Sequence, residues 1–373
     1  MKIAFPHMGN LYIPFSALLE NLGCEVVIPP RPTRKSIELG VKYSPEFVCF
    51  PYKVNLGDLI NALEMGADTL LSVGGSWACR FGYYGRLHHE TLWDLGYKFE
   101  SIIVRKDGAK NVFGRVKQLN GNSTSKALFR AVRAVRIAWT KSVLVDKAEW
   151  LARRVRPYEV KKGNTTKALK ASLNLIHQAK SLKELRVVRK KIYENFRNVE
   201  QNKSRDILRV KLVGETHIVL EPFVNFEIER RLGEMGVYVE PFLTIHRWLI
   251  HPFHLGIRGR RGESVAKKFA RPFLAHPVGG EEELSIGYTV LAAIDGYDGV
   301  IHLHPFTCMP ENVAKEILPR LSRLYDIPVM SLSIDEHTGS AGFISRLEAF
   351  VDLMKQRRKR QSNIRHKSHL RRF

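Results

Sequence analysis

Cysteine is the residue type in this chain that most directly suggests chemistry, and only four cysteines occur among its 373 residues. Three of them follow short apolar segments that predict β-strands: Cys49 in Phe-Val-Cys-Phe-Pro, Cys79 in Gly-Gly-Ser-Trp-Ala-Cys-Arg, and Cys308 in His-Pro-Phe-Thr-Cys-Met-Pro. Loops at the carboxyl ends of strands are where open α/β sheets gather their binding groups. We therefore expect the three thiols to converge on one point, and we expect Cys24 to be a small buried hydrophobic residue.

Three converging thiols are typical of an iron–sulfur site. Iron–sulfur clusters usually have four thiolate ligands, so three would leave one iron free to bind a substrate oxygen, water, sulfide or a ligand from a partner. Cys49 and Cys308 each stand in a Cys-x-Pro segment that precedes a helical pattern. Free N–H groups and the positive end of a helix dipole lower the pKa of a thiol there and offset the negative charge of a ligated cluster.

Two other interpretations of the cysteines remain open. Free cysteine is often buried, so all three are also compatible with a purely structural role in the core. Alternatively, they bind zinc together with a histidine as the fourth ligand, although structural zinc sites usually bring their ligands in close pairs. The candidates for that fourth ligand are His302, His304, His88 and His89. We expect His302 and His304 to point to opposite faces of one strand.

The elements that must position the cysteines form the same pattern twice. In each half an apolar strand, a helix that ends in glycine and a second strand follow one another, which predicts a β-α-β unit. Each half also contains the order strand, Cys-x-Pro, helix. We therefore predict an α/β fold with two similar Rossmann-like or flavodoxin-like open-sheet domains that face each other across a cleft. The predicted units are Lys2–Pro6, the helix through Phe15 and Glu25–Pro29 in the first half, and Lys211–Gly214, Asn225–Gly236 and Val237–Pro241 in the second.

Positive charge is concentrated outside these predicted sheets. The formal net charge is +23, and residues 126–211 contribute 24 Lys or Arg against 7 acidic residues, a net +17, while residues 355–373 contain 9 Lys or Arg and no acidic residue. We predict an N-terminal α/β domain (1–122), a basic helical linker or cap (123–207), a C-terminal α/β domain (208–354) and a basic disordered tail (355–373). With Trp139 and Trp150, the basic segment is also compatible with binding to nucleic acid or to an acidic protein.

The composition and the N-terminal pattern indicate in which cellular compartment the protein is expected. No stretch of the sequence approaches the length of a membrane span, and the N-terminal residues lack the pattern of a signal peptide. Four cysteines without a close Cys-x-x-Cys pair do not form a disulfide framework. We therefore expect a cytoplasmic protein without a membrane partner.

Three motifs resemble segments of the 2-hydroxyacyl-CoA dehydratase and benzoyl-CoA reductase subunit superfamily. They are Cys49-Phe-Pro-x-Lys, Pro305-Phe-Thr-Cys-Met-Pro-Glu and Ile334-Asp-Glu-His-Thr-Gly-Ser-Ala-Gly-Phe-Ile-Ser-Arg-Leu-Glu-Ala-Phe. Within that superfamily the resemblance is to the branch described as acyl-CoA dehydratase activase-related, or CoA-protein-activase-like, proteins. It extends from residue 1 to about residue 104 and over residues 208–354.

The resemblance implies a [4Fe–4S] cluster bound by three cysteines, which by motif are Cys49, Cys79 and Cys308, or a double-cubane cluster as in some members. It implies as partners an ATP-hydrolysing activase with an actin-like fold, a second dehydratase-like subunit or a second copy of the chain, and an acyl-CoA substrate. The basic insert and tail depart from the family pattern. No Gly-x-x-x-x-Gly-Lys-Ser/Thr motif is present, so the activase activity itself is not expected.

Three further residues are candidates for acid–base or polar contacts at the site. His337, in Asp-Glu-His-Thr-Gly, is a candidate proton donor, although helix capping or ion pairing is the more common role of the preceding carboxylates. Glu311 follows Cys308 in the first turn of a predicted helix, and Ser76 lies in the glycine-rich loop before Cys79. The basic loop at residues 256–262 is a candidate for the phosphates of coenzyme A.

Together these features predict an iron–sulfur protein that acts in low-potential electron transfer or in reductive dehydration or reduction. If it is an enzyme, the resemblance implies a dehydratase-like lyase or a component of an ATP-coupled reductase. The alternatives are a non-enzymatic electron-transfer or accessory subunit of a dehydratase and activase system, and a basic nucleic-acid-binding protein.

Overall fold

Two four-stranded parallel sheets organise the chain. The computed structural model describes residues 1–74, 79–104, 124–250 and 262–370. The strand orders are β2-β1-β3-β4 in the first half and β6-β5-β7-β8 in the second, so both sheets have the same topology. This confirms the predicted α/β fold with two similar open-sheet domains.

The N-terminal sheet begins with the β-α-β unit that the sequence predicts. Its strands pair in parallel, with Ile3 opposite Val26 on one side and opposite Thr69 on the other. The elements are β1 Lys2–Ala4, α1 Tyr12–Asn21, β2 Glu25–Val27, α2 Arg34–Tyr43, α3 Phe50–Glu64, β3 Thr69–Val73, α4 Phe81–Asp94 and β4 Glu100–Val104.

Helix α3, which carries Cys49 at its start, crosses α2 at very short range. A Cβ atom on Gly40 would lie 1.8 Å from the carbonyl oxygen of Lys53, and one on Gly57 would lie 1.9 Å from that of Ser36. Any side chain at either glycine would therefore push the two helices apart. The glycines thus set the position of the helix on which Cys49 depends.

The strand predicted before Cys49 is absent, and that prediction was wrong. After α2 the chain runs through a loop directly into α3. Phe47 adopts a φ of 60° in this loop, a conformation that is unusual for a bulky residue and incompatible with an extended strand. The apolar run Phe-Val-Cys-Phe therefore reflects burial of Val48, Cys49 and Phe50 at the start of a helix.

The C-terminal domain repeats the strand order with more helices between the strands. In its sheet Leu212 pairs with Pro241 on one side and with Ile301 on the other. The elements are β5 Leu208–Gly214, α8 Thr216–Leu220, α9 Ile228–Glu234, β6 Val237–Pro241, α10 Ile245–Ile250, α11 Glu263–Ala270, α12 Glu282–Ile294, β7 Gly299–Pro305, α13 Met309–Leu324, β8 Val329–Ile334 and α14 Ser340–Leu370.

Three helices lie between the two sheets in the sequence: α5 Thr124–Val155, α6 Asn164–Gln178 and α7 Leu182–Arg197. One face of α5, with Ile137, Leu144 and Ala148, packs into a core that also contains Ile13 of α1 and Ile176 of α6. Most basic residues of this segment are exposed, whereas Lys141, Arg153 and Arg156 are buried. No described helix is long and apolar enough to cross a bilayer.

The two domains share side chains across their contact. Phe50 and Val54 of α3 belong to the hydrophobic core of the C-terminal domain, whereas Cys308 belongs to that of the N-terminal domain. Lys53 of α3 forms an ion pair with Glu336, and both side chains are largely buried. Since each domain completes the core of the other, their contact is part of the folded state.

A polar contact between the domains depends on Gly9. Its backbone N–H donates to Oε2 of Glu221 at 2.7 Å. Gly9 has a φ of +56°, and a Cβ atom there would lie 2.4 Å from the carbonyl oxygen of Leu220. Only glycine meets both requirements without displacing α8.

The C-terminal tail differs from the sequence expectation. The segment from residue 355, predicted to be disordered, continues α14 as a helix to Leu370. Lys, Arg and Gln, which dominate the segment, are good helix formers, so the absence of apolar periodicity does not exclude a helix. Arg357 forms an ion pair with Asp326, and Arg358 forms ion pairs with Asp206 and Asp298, which attach the first part of the tail to the C-terminal domain.

We expect Arg358→Ala to lower the free energy of unfolding by about 1–2 kcal/mol, because it removes charged hydrogen bonds to Asp298 and to the backbone of Ile207. Lys355→Ala is the matched control, since its ion pair with Asp352 is mainly exposed and contributes little. Urea denaturation of both variants measures the difference. Equal denaturation midpoints for the two variants would show that the contacts of Arg358 do not contribute to the stability of the fold.

Candidate functional site

Cys49 and Cys308 meet at the contact between the two domains. The thiol of Cys308 hydrogen-bonds to Cys49, and Sγ of Cys49 lies 3.7 Å from the carbonyl oxygen of Thr307. Oγ1 of Thr307 donates to the carbonyl oxygen of Val48 at 3.1 Å, so the two cysteine segments run side by side. The structure thus brings together two thiols that are distant in the sequence.

Three helix N-termini are directed at the cysteines. Cys49 is the N-cap residue of α3 and Cys308 is that of α13, each with proline in the first helical turn. The backbone N–H of Glu311 donates to the thiol of Cys308, and that of Phe81, the first residue of α4, donates to the thiol of Cys79. Donors and dipoles in this arrangement stabilise negative charge on sulfur.

Arg80 connects the two cysteine segments. Its Nη2 donates to Sγ of Cys49 at 3.6 Å and to the carbonyl oxygen of Thr307, and its Nη1 donates to the carbonyl oxygen of Phe47 at 2.8 Å. The guanidinium therefore places a permanent positive charge beside the thiols. Sequence reasoning missed Arg80, although its position next to Cys79 was a usable signal.

Cys49 is the thiol that ionises most readily. The hydrogen bond from Cys308 is the largest of the effects that lower its pKa, to about 6, against the opposing effect of burial, with further contributions from Tyr84 and Arg80. The pKa of Cys308 is raised in turn, since this thiol holds the proton of the pair. Burial raises the pKa of Cys79, and the charge of nearby Cys49 adds to that effect. Within the pair, Cys49 is therefore the thiol that more readily loses its proton and Cys308 the one that keeps it.

Glu215 is a further residue at the site that the sequence analysis did not identify. Its carboxyl accepts from the backbone N–H groups of His217 and Ile218, and the residue is half-buried. Burial raises its pKa to about 8, and the charge of Cys49 contributes. The Glu215 charge in turn raises the pKa of Cys79 and of Cys308. Its position just after β5 is the signal that could have found it.

Exposed apolar side chains surround the buried thiols. Phe47 is 75% exposed and Phe306 is 64% exposed, and the two lie in the adjacent segments that carry Cys49 and Cys308. Met309, directly after Cys308, is 51% exposed. Apolar residues from both domains therefore form a rim on the outer side of the site, as interaction surfaces often do.

The cysteines do not form a complete ligand set in this arrangement. Among the described residues no group of three His, Cys, Asp or Glu side chains is placed to hold a metal ion. Cys49 and Cys308 are in direct contact, while Cys79 is anchored by the hydrogen bond of its backbone N–H to the carbonyl oxygen of Gly279, 3.2 Å away. The sulfur donors and the surrounding N–H groups suit an iron–sulfur cluster. Three-thiolate binding would require Cys79 to move relative to the pair.

The histidines proposed as zinc ligands have other partners. The His88 ring stacks on Tyr52, and its Nε2 lies 2.9 Å from the carbonyl oxygen of that residue. His89 hydrogen-bonds to Ser72 and Ser101. Burial lowers the pKa of His88 to about 3 and that of His89 to about 4, which keeps both rings neutral. Both therefore act as core residues with satisfied hydrogen bonds.

His302 and His304 lie on the same face of β7, so the expectation of opposite faces was wrong. Residues two apart on a strand share a face, and their rings stack with centroids 4.9 Å apart. Their partners are Ser331 for His302 and Ser333 for His304, both on the neighbouring strand β8.

Glu311 hydrogen-bonds to His302 of this pair and lies in the first turn of the helix that Cys308 begins. Its Oε2 shares a hydrogen bond with Nε2 of His302 at 2.7 Å and accepts from Oγ of Ser285 at 2.9 Å. Its Oε1 is buried without a hydrogen-bond partner in the described part of the chain. Burial raises the pKa of Glu311 to about 8. The sequence expectation of a first-turn carboxyl beside Cys308 is met, but the group is interior and neutral rather than facing the helix dipole as an anion.

The remaining predicted residues lie apart from this cluster. His337 is exposed, and its backbone N–H donates to Oδ1 of Asp335 in a turn that Thr338 also closes. None of the described contacts joins its ring to a cysteine. Ser76 lies outside the described residues, as does most of the basic loop 256–262.

The chain shows a partial similarity to a known family. Residues 5–72, which include Cys49, match the family described as CoA enzyme activase uncharacterised domain. No curated protein matches the chain. The match supports the activase-related branch of the resemblance over this part of the chain, whereas membership of the wider dehydratase superfamily stays a prediction.

We expect Cys308→Ala to raise the pKa of Cys49 above about 6, because the variant removes the hydrogen bond that stabilises the thiolate. In metal-free protein at pH 7, alkylation of Cys49 by iodoacetamide should then slow by about tenfold. Site-resolved mass spectrometry across a pH series measures the rate, with Cys24→Ala as the control. An unchanged pH profile for Cys49 would contradict the assigned contact.

We expect Glu311→Gln to change how stability depends on pH. A carboxyl whose pKa is raised on folding stabilises the folded state below its unfolded pKa of 4.5, and this contribution is lost as the pH rises through about 8. The free energy of unfolding of the variant, relative to that of wild type, should therefore rise by roughly 2–5 kcal/mol between pH 4.5 and pH 9. Denaturation at both pH values measures this, and Glu316→Gln on the exposed side of α13 should show no such gain. A pH-independent difference would contradict a neutral Glu311.

Proposed function

We propose that this chain is an iron–sulfur protein in which Cys49, Cys79 and Cys308 hold a [4Fe–4S] cluster at the contact between the two α/β domains. The observation that carries the proposal is the meeting of Cys49 and Cys308, each at a helix N-terminus, beside Arg80, with Cys79 directly before Arg80 at the start of α4. Such surroundings stabilise thiolate and cluster charge, and a purely structural cysteine core would not need them.

The residues around the thiols suggest distinct roles. Arg80 would compensate part of the negative charge, and the N–H groups of Phe81 and Glu311 would donate to the sulfurs of Cys79 and Cys308. Glu215, neutral near pH 7, would add no further negative charge to the site. When bound, a cluster with one iron free of thiolate supplies one-electron transfer and a Lewis acid for a substrate oxygen.

The matched family supports a place in a system of CoA-dependent enzymes and activases. In that setting the protein would receive a low-potential electron from an ATP-hydrolysing activase and act in reductive dehydration or reduction of an acyl-CoA, alone or with a second subunit. The apolar rim of Phe47, Phe306 and Met309 supports docking of a redox partner over the thiols.

The rim also favours a second candidate function. A site that lies just behind exposed side chains of both domains suits an electron carrier or accessory subunit that exchanges electrons with a docked protein. In that case the chain would bind the cluster in the same way but convert no acyl-CoA substrate itself.

Iron analysis of single variants tests the proposal. After anaerobic reconstitution, wild type and Cys24→Ser should each hold about four iron and four sulfide per chain, whereas Cys49→Ser, Cys79→Ser and Cys308→Ser should each lose at least half of both. Iron and acid-labile sulfide assays measure this, and circular dichroism confirms that each variant is folded. Equal iron in all four variants, or stoichiometric zinc in its place, would refute the proposal.

A further inference from the structure

A stripe of exposed apolar side chains runs along the first two thirds of α5. Leu128, Val132, Val135, Trp139 and Val143 are spaced four, three, four and four residues apart, so they share one face of the helix. Each of them is between 41% and 55% exposed, and Phe129 beside them is 71% exposed. The stripe is about 22 Å long, or four helical turns.

The stripe is separate from the face that holds α5 in the fold. The opposite face contributes Ala134, Ile137 and Leu144 to the cores shared with α1, α6 and α7. Within the stripe, the Trp139 ring rests edge-on against His246 with centroids 4.7 Å apart, which fixes its orientation. The helix is therefore held in place while its apolar stripe faces outward.

Positive charge borders the stripe on one side. Arg133 and Arg136 are exposed, and neither forms an ion pair with any residue that the structure describes. Both project beside Val132 and Trp139 at helical spacing. The opposite border carries Ala131 and Ala138, both half-buried, and Ala131 packs against the core shared with α1.

We propose that this face of α5 docks an amphipathic helix of a partner protein, whose aliphatic residues cover the stripe and whose acidic residues pair with Arg133 and Arg136. Aliphatic residues in a four-three spacing match the seam of a two-helix contact, in which flanking charges select the partner. A second copy of this chain is disfavoured because self-pairing of the stripe brings the two pairs of arginines together. Nucleic acid is disfavoured because four of the five residues of the stripe are aliphatic and only Trp139 offers an aromatic surface for stacking.

A synthetic helix serves as the probe. The acidic peptide has leucine at the a and d positions and glutamate at e and g over about three heptads, and the matched basic peptide has lysine at e and g. Fluorescence anisotropy with the full-length chain should show that the acidic peptide binds at least about tenfold more tightly than the basic peptide. Val132→Glu with Val135→Glu should abolish that binding, and Arg133→Glu with Arg136→Glu should reverse the preference.

Matched variants on α7 control for general charge and apolar effects. Val187→Glu and the pair Arg186→Glu with Arg189→Glu lie on an exposed surface with the same spacing and should leave binding unchanged. The proposal would be overturned if the α7 charge pair lost as much binding as the α5 charge pair. Equal affinity of the wild-type chain for the two peptides would also overturn it. So would a wild-type dimer that Val135→Glu converts to monomer in sedimentation velocity, or tighter binding of anionic phosphatidylglycerol vesicles than of the acidic peptide.

Discussion

The site depends on the contact between the N-terminus of α3 and the N-terminus of α13. Charge on a buried sulfur is costly unless hydrogen-bond donors surround it. Here backbone N–H groups, the Cys308 thiol and the Arg80 guanidinium provide them. The same contact places Phe50 in the C-terminal core and Cys308 in the N-terminal core. The electrostatics of the thiols and the joining of the domains are therefore one structural feature.

A site built from both domains has consequences for function. Neither sheet alone supplies the donors, because Cys49 and Arg80 come from the first domain and Cys308 and Glu215 from the second. A shift at the domain contact would change the distance between sulfurs and thus the charge that the site stabilises. The buried ion pair of Lys53 with Glu336 opposes such a shift. The apolar rim lies at the same contact, so a docked partner would touch both domains at once.

Sequence patterns predicted the elements well where periodicity was strong, as in the β-α-β units predicted from Lys2 and from Lys211, the second of which begins three residues earlier, at Leu208. They failed before Cys49, since a short apolar run does not distinguish a strand from a buried helix start. The expected convergence of the thiols rested on their positions after predicted strands. Cys49 and Cys308 do lie together, although a loop and not a strand precedes Cys49. Glu215 was missed, although its position directly after β5 was a usable signal. The prediction of a disordered tail failed for another reason, since Lys and Arg favour a helix even without an apolar pattern.

An anaerobic crystal structure of the reconstituted protein, with anomalous diffraction data at the iron and zinc edges, tests directly whether the three cysteines hold a cluster. We expect an iron peak within bonding distance of the sulfurs of Cys49, Cys79 and Cys308, with Arg80 still beside Cys49. An iron peak elsewhere, a zinc peak at the thiols, or an intact hydrogen-bonded pair of Cys49 and Cys308 without metal would contradict it.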